Sequence, residues 1–154
     1  LQEALNELAE LVEEVQRSGA GGPEAAWLAR LLVVRSCGYL EQVVDEVSRE
    51  LMQERSGGVV RSFSQSWLPS HKNPGPDRLA QWVSRFDTTW SVELAELFDG
   101  DDERLRRELA FLVDRRNRIA HGLNEGIGVR KALDLRYVAV EIADWFIRRF
   151  NPNR

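Results

Sequence analysis

A chain of 154 residues that is 43% apolar and 30% charged has the size and make-up of one globular domain with a real core. No apolar run approaches the roughly 20 residues that a bilayer span needs, so no membrane partner is expected, and a net charge of −4 argues against a generally basic nucleic-acid binder. The single cysteine, Cys37, excludes an internal disulfide and fits a reducing, cytoplasmic setting; with His71 and His121 it makes no metal-ligand spacing, so neither metal nor cofactor is expected.

The chain opens on Leu1 rather than methionine, as a trimmed or excised piece would. Its first stretch lacks the basic start and unbroken apolar core of a signal peptide. Leu1, Leu5, Leu8, Val12 and Val15 recur at helical spacing, which predicts an amphipathic helix over residues 1–18 with an acidic outer face. Ser18 to Pro23 breaks it, and Pro23 suits the first turn of the next helix. That helix is predicted from about Glu24 to Arg55. Trp27, Leu28, Leu31, Leu32, Val34, Tyr39, Leu40, Val43, Val44, Val47 and Leu51 wrap more than half of it, so it should be central or pack on two partners. Val34, Gly38, Glu41 and Asp45 succeed one another along one line, a glycine where another helix can come close beside two carboxylates.

Residues 57–76 are rich in Ser, Gly and Pro and read as a long loop or strand-poor excursion that is functional, mobile or capped by a short helix, carrying Trp67, His71 and Lys72; His71 reads as a surface loop residue rather than a catalytic one. Asp77 is the expected N-cap of a helix over Arg78 to Phe86. A further segment, Thr88 to Phe98, is separated from it by a kink or a break, with Trp82, Phe86 and Trp90 expected in the core rather than stacking on bases. Asp99 to Asp102 form an acidic turn before a helix from about Glu103 to His121. After a glycine-rich connection, a last helix from Val129 to Phe150 should bury Leu133, Tyr137, Val140 and Ile142 with Phe146 or Trp145. The expected fold is all-α, an up-and-down bundle of five to six helices, with residues 1–18 as an amphipathic helix joined to a main domain over 23–151 in one compact unit.

One helix breaks its own pattern. Leu105, Leu109, Leu112, Arg116, Ile119 and Ala120 share a stripe, and Arg116 stands where an aliphatic belongs. An inward arginine is costly unless it is paired or lines a polar pocket. Glu41 and Asp45 are the candidate partners, and equally read as solvated helix-face acids. Asn117 and His121 lie four apart, on one helix face, and Gly122 ends the helix. Charge is also uneven: residues 104–154 hold 12 Arg or Lys against 6 Asp or Glu, and residues 1–103 hold 9 against 19. A basic carboxy-terminal half suits RNA phosphates, and equally two sets of solvated helix faces.

The string Arg116-Asn117-Arg118-Ile119-Ala120-His121, within LVDRRNRIAHG, resembles the R-N-x-x-x-H signature of HEPN domains, and more narrowly that of the RiboL-PSP and MAE types. The resemblance covers roughly Trp27 to Phe150 in helix order. It implies a homodimer and a metal-independent ribonuclease, with RNA as substrate and an antitoxin or larger phage-defence assembly as partner. The alternative it leaves open is a HEPN domain that binds RNA or a nucleotide, or only dimerises, without cleaving; a further reading is a helical scaffold with no ligand, favoured if Glu41 or Asp45 neutralises Arg116 within its own chain, far from any cleft. One departure is Leu123. HEPN toxins silenced by a nucleotidyltransferase partner often carry tyrosine there, so nucleotide transfer onto this motif is not expected.

RNA carries its own nucleophile, the 2′-hydroxyl. Cleavage then needs a base, an acid for the 5′-oxygen, and positive charge on the phosphorane. His121 suits base or acid, because imidazole titrates near neutrality; as a bland alternative it is a helix C-cap. Arg116 suits the charge. Asn117 can orient the imidazole or donate to phosphate. Arg115 and Arg118 read as RNA-steering charges or ion pairs, with Asp114 bonding either Arg118 or Asn117. One histidine per chain does not readily serve as both acid and base; the dimer that the resemblance implies answers this by pairing two copies of the motif across a two-fold axis, so both Arg116 and both His121 residues are expected to converge in one cleft.

Overall fold

Helix α2, Pro23–Arg55, is the element on which the others are laid. In the computed structural model it packs against α6 (Val129–Arg149), α1 (Gln2–Arg17), α5 (Thr88–Ala120) and α3 (Gly58–Ser66), while α4 (Pro76–Ser84) packs on α5. The structure describes residues 1–19, 21–66, 73–123 and 126–151; among these the elements are six helices and no strand. Trp67, His71 and Lys72 lie outside the described residues. The fold is therefore the all-helical bundle expected, with α2 buried from several sides: Leu32, Val33, Cys37, Leu40 and Val44 are fully enclosed.

Pro23 stands in the first turn of α2, where its missing N–H costs nothing. α1 contributes Leu5, Ala9 and Val12 to the common core. The two buried hydroxyls, Ser36 and Ser48, are matched. Trp82 Nε1 donates to Ser48 Oγ at 3.0 Å, tying α4 to α2, and Ser36 Oγ donates to Leu32 O at 2.7 Å. The aromatic residues expected inside do pack together: Phe86 meets Trp82 and Phe150 edge-on, with ring centroids 5.2 and 5.0 Å apart.

Within 57–76 the short helix that the sequence allowed is present, Gly58–Ser66 forming α3; Val59, Val60 and Phe63 sit at helical spacing yet stay exposed, so the apolar signal is short and drives no burial. Three expectations are corrected. Asp77 does not cap α4. Gly75 is the N-cap and Pro76 holds the first position, leaving the Asp77 carboxylate to face Arg106 at 3.4 Å. In α6 Ile142 and Phe146 are buried as expected and Leu133, Val140 and Trp145 pack half-buried on the core, but Ala132, Leu135, Val138, Ala139 and Ala143 complete the buried face, and Tyr137 is 56% exposed with the Arg136 guanidinium 4.7 Å from its ring centroid. The small alanines let α6 approach α2 on a face that a list of bulky residues overlooks. Finally, a Cβ at Gly38 would meet nothing within 4 Å, so among the described residues no helix of this chain comes close at that glycine.

Asp87 caps α5, its Oδ1 accepting from the N–H of Thr89 at 2.6 Å and of Trp90 at 3.2 Å, which separates α5 from α4. The acidic turn is also real. α5 is broken at Gly100, Asp101, Asp102 and Glu103, the last three holding φ of 51°, 53° and 59°. Left-handed backbone costs an L-residue about 1–2 kcal/mol, whereas glycine adopts it freely but loses about 0.5–1 kcal/mol of extra chain entropy. The first term is larger, so Glu103→Gly is expected to raise unfolding free energy by about 0.5–1 kcal/mol in urea titration. A loss of stability would show that the Glu103 backbone is not strained.

Candidate functional site

The carboxy-terminal part of α5 carries Leu105, Leu109 and Leu112 into the core, and one turn later the same stripe delivers Arg116. Its side chain is 24% exposed and reaches the mid-part of α2, where Glu41, 19% exposed, meets it. Arg116 Nη2 lies 3.0 and 3.3 Å from the two Glu41 carboxylate oxygens. Of the two acids anticipated, Glu41 is the one that holds the guanidinium. Arg116 Nη1 donates to Asn117 Oδ1 at 2.9 Å and to Asn73 Oδ1 at 3.1 Å. The Asn73 N–H in turn donates to Glu41 Oε1 at 2.9 Å.

Four groups from three parts of the chain thus form one network around a cation. A charge this enclosed is tolerable only with such partners. Beneath it lies Cys37, one turn before Glu41 on α2 and fully buried. Burial pushes its thiol up to about 12, with the Glu41 carboxylate adding to the rise and Arg116 opposing it. The thiol is therefore an inert, protonated packing group at neutral pH.

The end of α5 is built by Gly122. Its φ of +74° lets the chain close in a Schellman motif: Leu123 N–H donates to Arg118 O and Gly122 N–H to Ile119 O, each at 3.0 Å. His121 is the C-cap residue, and its backbone N–H donates to Asn117 O at 3.0 Å. Its imidazole is exposed and hydrogen-bonds to no described residue. The C-cap role and an accessible imidazole are thus compatible, since the cap uses the backbone and leaves the ring outside. Asn117 Oδ1 accepts from Arg116, and no hydrogen bond joins its side chain to that ring.

Asp114 pairs with Arg118, Nε to Oδ2 3.2 Å, rather than with Asn117. The Arg115 guanidinium lies 4.7 Å from the Phe111 ring centroid. Both arginines flank the site without joining its network. Asn73 is the member that sequence reasoning missed. The turn-forming string Asn73-Pro74-Gly75 marks a bend, and Asn73 holds the left-handed φ of 65° that asparagine tolerates, but nothing local indicates a contact 43 residues away. Among the described residues no three His, Cys, Asp or Glu side chains gather as a metal site, and no helix is long and apolar enough to cross a membrane.

In the last turn of α5, Ile119 borders a groove of about 270 Å³ with Trp27, Leu28, Arg30, Leu31 and Val34 of α2. Trp27 is 67% exposed and Leu31 46%, so part of the apolar wrap of α2 is left uncovered beside the site. The early turns of α2 thus face the end of α5 and its middle faces Arg116, which makes the two helices antiparallel.

No curated protein and no solved structure matches the chain significantly. The family model for RiboL-PSP-HEPN matches residues 1–150, which takes in α1 as well as the motif helix. Helices, motif and match agree, and the chain belongs to the RiboL-PSP-HEPN family.

Proposed function

We propose that this protein is a metal-independent endoribonuclease that works as a homodimer, acting as a toxin or defence effector whose antitoxin or larger assembly restrains it. The observation that carries the reading is an arginine held in place by Glu41, Asn117 and Asn73, one and a half turns before an exposed imidazole on the same helix. A guanidinium whose direction is set in advance stabilises developing charge without reorganising at the moment of reaction. In the reaction, the 2′-oxygen forms a bond to the adjacent phosphorus and the bond from phosphorus to the 5′-oxygen breaks. One His121 takes the 2′-hydroxyl proton, and His121 of a second copy supplies a proton to the departing 5′-oxygen. Arg116 bears on the non-bridging oxygens. Arg115 and Arg118 add positive charge at the rim.

The exposed Trp27 and Leu31 beside Ile119 favour a second copy docking next to the motif, since apolar surface of this kind at a rim of polar residues is a common interface core. Neutralisation of Arg116 by Glu41 within one chain favours a helical scaffold with no ligand if it lies far from any cleft, and the second reading is a HEPN module that dimerises or binds RNA without cutting it. The two separate on one experiment. Wild type, Arg116→Ala and Trp27→Asp are incubated with RNA in EDTA, with mass measured in parallel by sedimentation. The nuclease reading expects EDTA-resistant cleavage by a dimer, lost in Arg116→Ala, and a monomeric, inactive Trp27→Asp. Equal cleavage by all three would mean a contaminant, and RNA binding without cleavage would favour the second reading.

A further inference from the structure

Arg116 has five N–H donors, and in the free protein most are occupied. Nη2 is committed to the Glu41 carboxylate, and Nη1 serves the carboxamide oxygens of Asn73 and Asn117. Only Nε lies outside these contacts. A fork-like grip on phosphate needs two adjacent donors, so a partner must leave. Glu41 is the least able to do so, because releasing it would strand two charges. The carboxamides are neutral and weaker acceptors than a phosphate oxygen. Asn117 adjoins Arg116 on the same helix turn and is held close by the backbone. Asn73 reaches in from 43 residues away, and its own N–H remains anchored to Glu41 Oε1 if the side chain swings out.

We infer that the Asn73 carboxamide oxygen occupies, in the free protein, the place on Arg116 Nη1 that a non-bridging oxygen of an RNA phosphodiester takes, so that substrate binds by displacing it. The inference rests on the reading of Arg116 as the phosphate-gripping group. Asn73 is then a positioning residue: its backbone holds Glu41 in register, and its side chain holds Arg116 extended until an anion arrives. It also sets a threshold, because a ligand must out-compete a hydrogen bond to a charged group before it is gripped.

The test measures affinity for a fluorescently labelled, uniformly 2′-O-methylated RNA oligonucleotide, which cannot be cleaved, by anisotropy. Asn73→Gly suits the positive φ and keeps the N–H to Glu41, so it removes only the carboxamide. It is expected to bind about threefold to tenfold tighter than wild type. Asn73→Asp, with a charged competitor in place, is expected to bind more weakly by a similar factor. Both differences should vanish when Arg116→Ala is added, which a merely structural role for Asn73 would not produce. Asn73→Gly binding no tighter than wild type, while Arg116→Ala alone weakens binding, overturns the displacement and leaves the phosphate role of Arg116 standing. No loss of affinity in Arg116→Ala, or no RNA binding by wild type, removes the phosphate role and the displacement with it.

Discussion

Replacing His121 with alanine is expected to slow RNA cleavage by about 10²–10⁴-fold, the range spanned by one general acid or base, while the melting curve stays within about 1 °C of wild type. The two halves of this expectation have separate causes. The cap at the end of α5 is made by backbone groups: the His121, Gly122 and Leu123 N–H groups donate to Asn117, Ile119 and Arg118 carbonyls, and alanine keeps all three. The imidazole is exposed and fills no part of the core, so its loss opens no cavity. A fall in activity without a fall in stability therefore isolates chemistry from architecture. The dimer adds a sharper form. If base and acid come from different copies, mixing inactive His121→Ala with inactive Arg116→Ala at equal concentration cannot restore a cleft that needs both residues of both chains. Recovery of activity on mixing would instead mean that one His121 and one Arg116 drawn from different copies suffice, and a cleft that needs both pairs would have to be given up.

The helices were legible where burial follows period. Pro23 and Arg55 bound α2, and Gly122 ends α5 where the sequence places a stop, because caps and breaks act within a few residues and need no knowledge of the fold. Arg116 was legible as an interruption of the stripe of Leu105, Leu109 and Leu112, and the same line of α2 residues offered Glu41 as its partner. What stayed hidden depends on the third dimension. α6 turns Ala139 and Ala143 inward and Tyr137 outward, since close approach to α2 selects small residues over bulky ones. Trp27 and Leu31 look like core by composition and lie on the surface by position, because the described parts of the chain supply no helix to cover them. Asn73 is the clearest case. Its contact with Arg116 joins a turn to a helix end, and such pairing leaves no periodic trace.

Glu41 carries the other large expected effect, and its sign on two readouts says what the carboxylate is for. Glu41→Ala strands the Arg116 guanidinium and deprives the Asn73 N–H of its acceptor. Breaking a fully buried pair costs about 3–5 kcal/mol, and an exposed one about 0–1 kcal/mol. With both side chains roughly a fifth to a quarter exposed, solvent screens part of the loss, and the cost in urea unfolding is expected near 2 kcal/mol. The double variant Glu41→Ala/Arg116→Ala should recover a good part of it, because no unpaired charge is left inside; strictly additive losses would mean that the two side chains do not stabilise one another. On cleavage two opposed effects compete. Freeing Arg116 from a carboxylate raises the charge available to phosphate, but it also lets a long side chain wander from the position that α2 and Asn73 impose. Preorganisation is the larger of the two where a donor must meet charge that appears only in the transition state. Glu41→Ala is therefore expected to lower kcat by at least tenfold, more than it changes KM, and Glu41→Gln, which keeps an acceptor for Arg116 without the charge, should fall between. A rise in cleavage in Glu41→Ala would reverse the assignment: Glu41 would then be a restraint on Arg116 rather than its support, and the resting network a brake that the substrate or a partner releases.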